Sequence, residues 1–168
     1  MGKTIYGFIE KIYMFFVELL FKIIKKDLTD KKRQTFKEFL QFGLVGVSNT
    51  IISYLLYVVT LLLVSKSGVK FDYIIANIVS WLLSVLWSFY WNNKFVFKKE
   101  EGEKRNIWAA LFKTYVSYGF TGLILNNILS VLWVSVLNIS KMLAPIINLV
   151  ISIPINFFMN KLWAFGKK

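Results

Sequence analysis

The sequence predicts an all-α membrane protein: four transmembrane helices laid out as two parallel-oriented two-helix repeats, with an interfacial amphipathic helix at the N-terminus. Three observations predict it. Four long stretches contain no Asp, Glu, Lys or Arg. A polar ladder set in apolar sequence is written twice, sixty-eight positions apart. Of the 21 Lys and Arg residues, all but Lys66, Lys70 and Lys141 fall on segments that four crossings would put on one side.

Composition sets the class. The 168 residues are 57% hydrophobic with a mean hydropathy of +0.57, above the roughly 45–50% of ordinary soluble domains. There is no Cys and no His, so disulfides, thiolate sites and imidazole ligands or bases are excluded. The formal charge is +12, which suits either nucleic acid or an anionic membrane face. The distribution of charge along the chain favours the membrane, and no nucleic-acid partner is expected.

Residues 1–35 form the first unit. Ile5, Phe8, Ile9, Ile12, Phe15, Phe16, Leu19, Leu20, Ile23 and Ile24 repeat at helical spacing, with Glu10, Lys11, Met14, Glu18, Lys22 and Lys25 on the other side. Charges recur too often for a spanning segment, and the pattern predicts a helix lying in the membrane interface. The alternative is an amphipathic helix packed on a partner. The charge-free core and small-residue cleavage site of a signal peptide are not found. Asp27–Arg33 reads as a charged hinge.

The membrane domain follows at 36–165, with repeat one at 36–97 and repeat two at 112–165. Phe39–Ser65, Tyr73–Asn93, Thr114–Ser140 and Met142–Asn160 are the four charge-free runs, each near or above the ~20 residues that cross the hydrocarbon core. The connector between the second and third holds Lys98, Lys99, Glu100, Glu101, Glu103, Lys104 and Arg105. The positive-inside rule puts both termini and this connector in the cytoplasm of a multi-pass cell-membrane protein. Trp91, Trp108 and Trp163 fall near the span boundaries, where aromatic belts form.

The ladders are Ser80, Ser84, Ser88 and Asn92 in the second span, and Asn148, Ser152, Asn156 and Asn160 in the fourth. A four-residue step drifts only about 40° on an α-helix, so each ladder is a winding polar seam. Phe42-Gly43-Leu44-Val45-Gly46 in the first span echoes Tyr118-Gly119-Phe120-Thr121-Gly122 in the third. Repeats of two spans keep the same orientation and imply a pseudo-two-fold axis along the membrane normal. The glycine pairs read as sites of close helix approach. Pro145 and Pro154 read as residues that free backbone groups and bend the fourth span.

Phe42-Gly-Leu-Val-Gly-Val-Ser-Asn-Thr50, Ala76-Asn77, Asn92-Asn-Lys-Phe-Val-Phe97 and Asn156-Phe-Phe-Met-Asn-Lys-Leu-Trp-Ala-Phe165 together resemble the GtrA-like family over roughly residues 36–165. Asn93 stands where that family often has a basic residue, leaving Lys94 alone at that helix end. The resemblance implies movement of polyprenyl-phosphate-linked sugars from the cytoplasmic to the outer leaflet, for lipopolysaccharide O-antigen, teichoic acid or arabinogalactan.

The candidate site combines both lines of reasoning. The spans hold no charged group, which argues against ion coupling and against acid–base chemistry inside the bilayer. An enzyme, a cofactor and a metal are not expected, and Glu100, Glu101 and Glu103 read as a solvated loop. Neutral polar groups remain: Asn49, Asn77, Ser84, Ser88, Asn92, Asn126, Asn148, Ser152, Asn156 and Asn160 are the candidate sugar path. The plainer reading is helix cement, worth about 0.6 kcal/mol per bond on average. Lys94, Lys113 and Lys161, at one edge of spans two, three and four, are the candidate lipid-phosphate ligands; the plainer reading is interfacial anchoring. The expected function is flipping of a polyprenyl-phosphate-linked monosaccharide for cell-wall or surface-polysaccharide glycosylation. The alternative is an anchor or accessory subunit of a polyprenyl-phosphate glycosyltransferase, and a homo-oligomer is compatible with either.

Overall fold

The computed structural model describes residues 2–66, 68–99 and 102–166. Glu100 and Glu101 of the connector, and Lys167 and Lys168 of the tail, lie outside the described residues. Every regular element described is helical. Helix α1 covers Gly2–Ile23, α2 Asp30–Ser65, α3 Asp72–Trp91, α4 Ile107–Gly119, α5 Asn126–Val131 and α6 Ala144–Met159. Helix α3 runs on into a π-helical turn, Asn92–Val96, and α6 into another, Asn160–Ala164. The third rod is α4, a π segment Phe120–Leu125, α5 and a further π segment Leu132–Val136.

Four of these rods are long and apolar enough to cross a membrane: Asp30–Ser65, Asp72–Val96, Ile107–Val136 and Ala144–Ala164. They overrun the charge-free stretches. Lys113 rides inside the third rod, and Lys94 and Lys161 sit on π turns. Lys and Arg are good helix formers, so a charge marks where the bilayer ends and not where the helix does. The hinge expected at Asp27–Arg33 is likewise shorter: α2 starts at Asp30, and Lys31–Arg33 belong to its first turn. At 36 residues α2 is about 54 Å long, well beyond the ~30 Å of hydrocarbon. Its charged first turns therefore project past the bundle.

Helix α1 packs on that projection. Lys37 pairs with Glu10 at 2.8 Å, Arg33 with Glu18 at 2.7 Å, and Gln41 donates to the Tyr6 hydroxyl at 2.8 Å. Met14 and Val17 are buried beneath, while Phe8, Phe15, Phe16, Leu20 and Ile23 are exposed. The polar side of α1 is thus spent on α2, and its apolar ridge is left free.

Helices α2 and α3 form one hairpin, and the third rod with α6 forms the other. The core gathers where their charged ends meet. Phe42, Phe89, Val96, Phe97, Ala110, Phe157, Ala164 and Phe165 make one buried cluster. Phe89 stacks on Phe165 at 5.6 Å, and Phe97 meets Phe157 at 5.9 Å. Phe89 and Phe97 are the repeat partners of Phe157 and Phe165, so each ring meets the other's counterpart. The two π turns carry the repeat into backbone geometry: Phe97 N–H donates to Asn92 O, and Phe165 N–H to Asn160 O, both at 2.8 Å.

Two expectations are corrected here. A Cβ at Gly43, Gly46, Gly119 or Gly122 would have nothing within 4 Å, so these glycines do not mark close helix approach within the chain. Pro145 lies in the first turn of α6, where its missing N–H would have no intrahelical partner anyway. Only Pro154 interrupts the helix interior.

Candidate functional site

Both ladders turn into the bundle. Ser80, Ser84, Ser88 and Asn92 are buried along α3, with Ala76 above them; Asn148, Ser152 and Asn160 are buried along α6, and Asn156 is half-buried. A serine or asparagine facing lipid would leave a polar group without a partner, which explains the inward turn. The two ladders differ in what they meet there.

On the second hairpin Asn148 and Asn160 reach across to the third rod. Trp133 Nε1 donates to Asn148 Oδ1 at 3.0 Å, and Asn148 Nδ2 donates to Ser130 Oγ at 2.8 Å and to Asn126 O at 3.1 Å. Lower down, Thr114 Oγ1 donates to Asn160 Oδ1 at 3.3 Å, and Asn160 Nδ2 donates to Asn156 O at 2.8 Å. Asn148 and Asn160 are therefore cement between the third rod and α6. The Oδ1 atoms of Asn126 and Asn156 remain buried without a partner.

On the first hairpin the same level is open. Ser80 and Ser84 donate only to their own helix, to Asn77 O at 3.0 Å and Trp81 O at 3.1 Å. Beside them lies a cleft of about 480 Å³ lined by Asn49, Thr50, Ser53, Tyr54, Tyr57, Asn77, Ser80, Trp81, Ser84, Val85 and Tyr118. Tyr54 is 67% exposed and Trp81 40%, so the cleft opens sideways toward the acyl chains. Asn49 Oδ1 is buried at its wall with no partner.

Aligning Gly43 and Gly46 with Gly119 and Gly122 explains the contrast. Thr50, Tyr54 and Tyr57 then correspond to Asn126, Ser130 and Trp133. The indole N–H and short serine that clamp Asn148 are replaced by two tyrosines, and Asn148 itself by Ser80. Asn148 is clamped across its hairpin, whereas Ser80 borders a cleft in its own.

The open side continues toward the charged end. Tyr118 lines the cleft, and its hydroxyl lies 2.7 Å from Ser88 Oγ, which accepts from Asn92 Nδ2 at 3.1 Å. Asn92 is fully buried, and its Oδ1 has no partner among the described residues. Next in sequence, Asn93 Oδ1 accepts from Arg105 Nη1 at 2.9 Å. A polar line thus runs from Asn77 along α3 to Asn92 at the start of its π turn, and Arg105 meets the next residue, Asn93.

Arg105 is the residue that sequence reasoning passed over. Its Nη1 donates to Phe97 O at 2.7 Å and its Nη2 to Phe165 O at 3.2 Å. One guanidinium thus clasps the carbonyls at the matching ends of both repeats. Nη2 also pairs with Glu103 at 3.1 Å, and the side chain is only 7% exposed. In the sequence Arg105 is one more charge in a Lys- and Glu-rich connector, and only the offset linking Phe97 to Phe165 hints at a shared ligand.

The three candidate phosphate lysines are not brought to one point. Lys161 pairs with Glu38 at 2.8 Å and donates to Thr35 Oγ1 at 2.7 Å. Lys113 donates to Trp163 O at 3.0 Å and lies over its ring. Lys94 donates to the Tyr90 hydroxyl at 3.1 Å among the Tyr90, Trp91 and Phe95 rings. Lys161 lines a cleft of about 370 Å³ and Lys113 one of about 160 Å³. Both clefts share Glu103, Arg105 and Gly166, whereas Lys94 lines neither. These contacts gather the foot of α2, the connector and the C-terminal end at one end of the bundle.

A family of transmembrane domains described as GtrA/DPMS matches residues 41–165. The chain belongs to it. The match covers all four rods from the Phe42 core residue to Phe165 and leaves α1 and the charged foot of α2 outside. Among curated proteins no sequence matches the chain. Four long apolar helices and this membership make the GtrA/DPMS-family chain an integral membrane protein.

Proposed function

We propose that this GtrA/DPMS-family chain carries a polyprenyl-phosphate-linked monosaccharide across the cytoplasmic membrane for cell-wall or surface-polysaccharide glycosylation, with no covalent bond made or broken. Family membership supports the lipid class. The observation that carries the reading is the unequal pair of hairpins: Asn148 is clamped by Trp133 and Ser130, while Ser80 and Asn49 border a lipid-open polar cleft.

Sugar hydroxyls both donate and accept, and so do the amides and hydroxyls of Asn49, Asn77, Ser80 and Tyr118. The aromatic faces of Tyr54 and Trp81 suit the C–H faces of a sugar ring. The headgroup moves along α3 through the first hairpin while the prenyl tail stays in lipid. The Lys-rich end is cytoplasmic by the positive-inside rule. With no charged group between Tyr73 and Asn93, nothing on this path couples to an ion, so net flux follows consumption of the sugar on the far side. Protein reconstituted in liposomes is expected to move a lipid-linked sugar analogue without an energy source. No movement, with insertion verified, overturns the reading.

A second reading, an anchor for a polyprenyl glycosyltransferase, is favoured by the free apolar ridge of α1. Deleting residues 1–35 separates the two. Loss of transferase activity favours the anchor; intact synthesis with lost surface sugar favours transport.

A further inference from the structure

We infer that the smaller cleft, at the start of α4, is a binding site for a phosphate oxyanion, built by Lys104, Arg105, Lys113 and the first turn of that helix. The inference deepens the transport reading and rests on it for the lipid source of the phosphate alone. The anion chemistry rests on the cleft.

Four features converge there. The cleft of about 160 Å³ is lined by Lys104, Arg105, Asn106, Ala109 and Lys113, with Glu103 as the one carboxylate among the described residues. Helix α4, 13 residues long, opens at this wall. Its first backbone N–H groups carry the positive end of the helix dipole and favour anions. Asn106 accepts from both amides at this wall, its Oδ1 from Ala109 N–H and its O from Ala110 N–H, each at 3.0 Å, so the helix offers the cleft its dipole and not a free amide.

The third feature is Arg105. A guanidinium has five N–H donors. Here Asn93, Phe97, Glu103 and Phe165 take those of Nη1 and Nη2. The Nε–H is buried with no partner among the described residues, on a side chain 7% exposed. A buried donor left unmade is costly, on the order of 1–3 kcal/mol, and the side chain that carries it lines the cleft. The fourth feature is charge. Glu103 already accepts from Arg105, and Lys104 is exposed with no partner among the described residues. Among the described residues, three cations against one engaged carboxylate leave the cleft positive. A phosphate group matches in charge and in acceptor number.

The position fits the path. Arg105 touches Asn93, one residue beyond the buried Asn92 at the end of the polar line. A phosphate held here would sit where that line reaches the charged end of the bundle.

Calorimetric titration of the full chain in phosphatidylcholine nanodiscs tests the site with three probes: inorganic phosphate, a short-chain polyprenyl monophosphate and the matching polyprenol. The monophosphate is expected to bind and the polyprenol not. Lys104→Gln, which removes an exposed charge with no partner among the described residues, and Lys113→Gln are each expected to weaken monophosphate binding about tenfold with an unchanged melting temperature for Lys104→Gln. Tighter binding of the monophosphate than of inorganic phosphate supports a lipid source; equal, Lys104-dependent binding of both supports a free-anion site. Wild-type affinity in both variants, or polyprenol binding equal to the monophosphate, overturns the inference. Lys104-dependent phosphate binding without transport in liposomes leaves the site standing and removes the transport reading.

Discussion

Phe97 and Phe165 stack on each other with ring centroids 4.9 Å apart, although one closes the first repeat and the other the second. Each then takes the other's neighbour: Phe165 packs on Phe89, and Phe97 on Phe157. The duplicated sequence has become one shared core at the charged end. Phe97→Ala or Phe165→Ala is expected to cost on the order of 3 kcal/mol through the cavity left behind. Thermal melting in detergent checks this, and the double variant should lose less than the sum because the two rings touch.

Arg105 holds the same two repeat ends by their carbonyls. Arg105→Lys keeps the charge but offers no fork to reach both Phe97 O and Phe165 O. A lower melting temperature is expected, with faster proteolysis of the connector. Lys98→Gln, at an exposed neighbour, should change neither.

Asn148 makes three hydrogen bonds across to the third rod. Asn148→Ala is expected to destabilise the bundle by about 1–2 kcal/mol and to slow transport only in proportion to lost folded protein. Normalising liposome transport to correctly folded protein is the check.

The docking of α1 is pH-dependent. The Lys37 ammonium, and then the Tyr6 hydroxyl, hold the Glu10 carboxyl below its ordinary value of 4.5. A depressed carboxylate stabilises the docked state above the ordinary value, and that contribution is lost as pH falls through the depressed one. Protection of the α1 amides, taken as exchange relative to each amide's intrinsic rate at that pH, should therefore stay constant from neutral pH down to about 4.5 and fall only below it. Glu10→Gln should remove this acid step.

The spans, the inward turn of both seams and the gathering of charges at one end were legible because each follows from local pattern. Ser80, Ser84 and Ser88 needed only helical spacing and the cost of polar groups in lipid. The division of labour between the seams was not legible. Ser80 and Asn148 hold the same ladder position, and what separates them is Tyr57 against Trp133 on another helix. Arg105 was hidden for a similar reason, since its ligands are carbonyls from two distant chain segments. The glycine pairs were misread because spacing alone does not tell which face has a neighbour. The π turns after Asn92 and Asn160 have no sequence signature apart from being repeated.

Asn77 and Asn148 provide the most direct test. Asn77 lines the open cleft and is exposed on α3, whereas Asn148 is buried and clamped in the other hairpin. Transport of a lipid-linked sugar analogue by Asn77→Ala protein in liposomes should fall at least about tenfold with melting temperature unchanged. Undiminished transport by Asn77→Ala and by Asn49→Ala, with transport lost only where stability is lost, would contradict a headgroup path through the first hairpin.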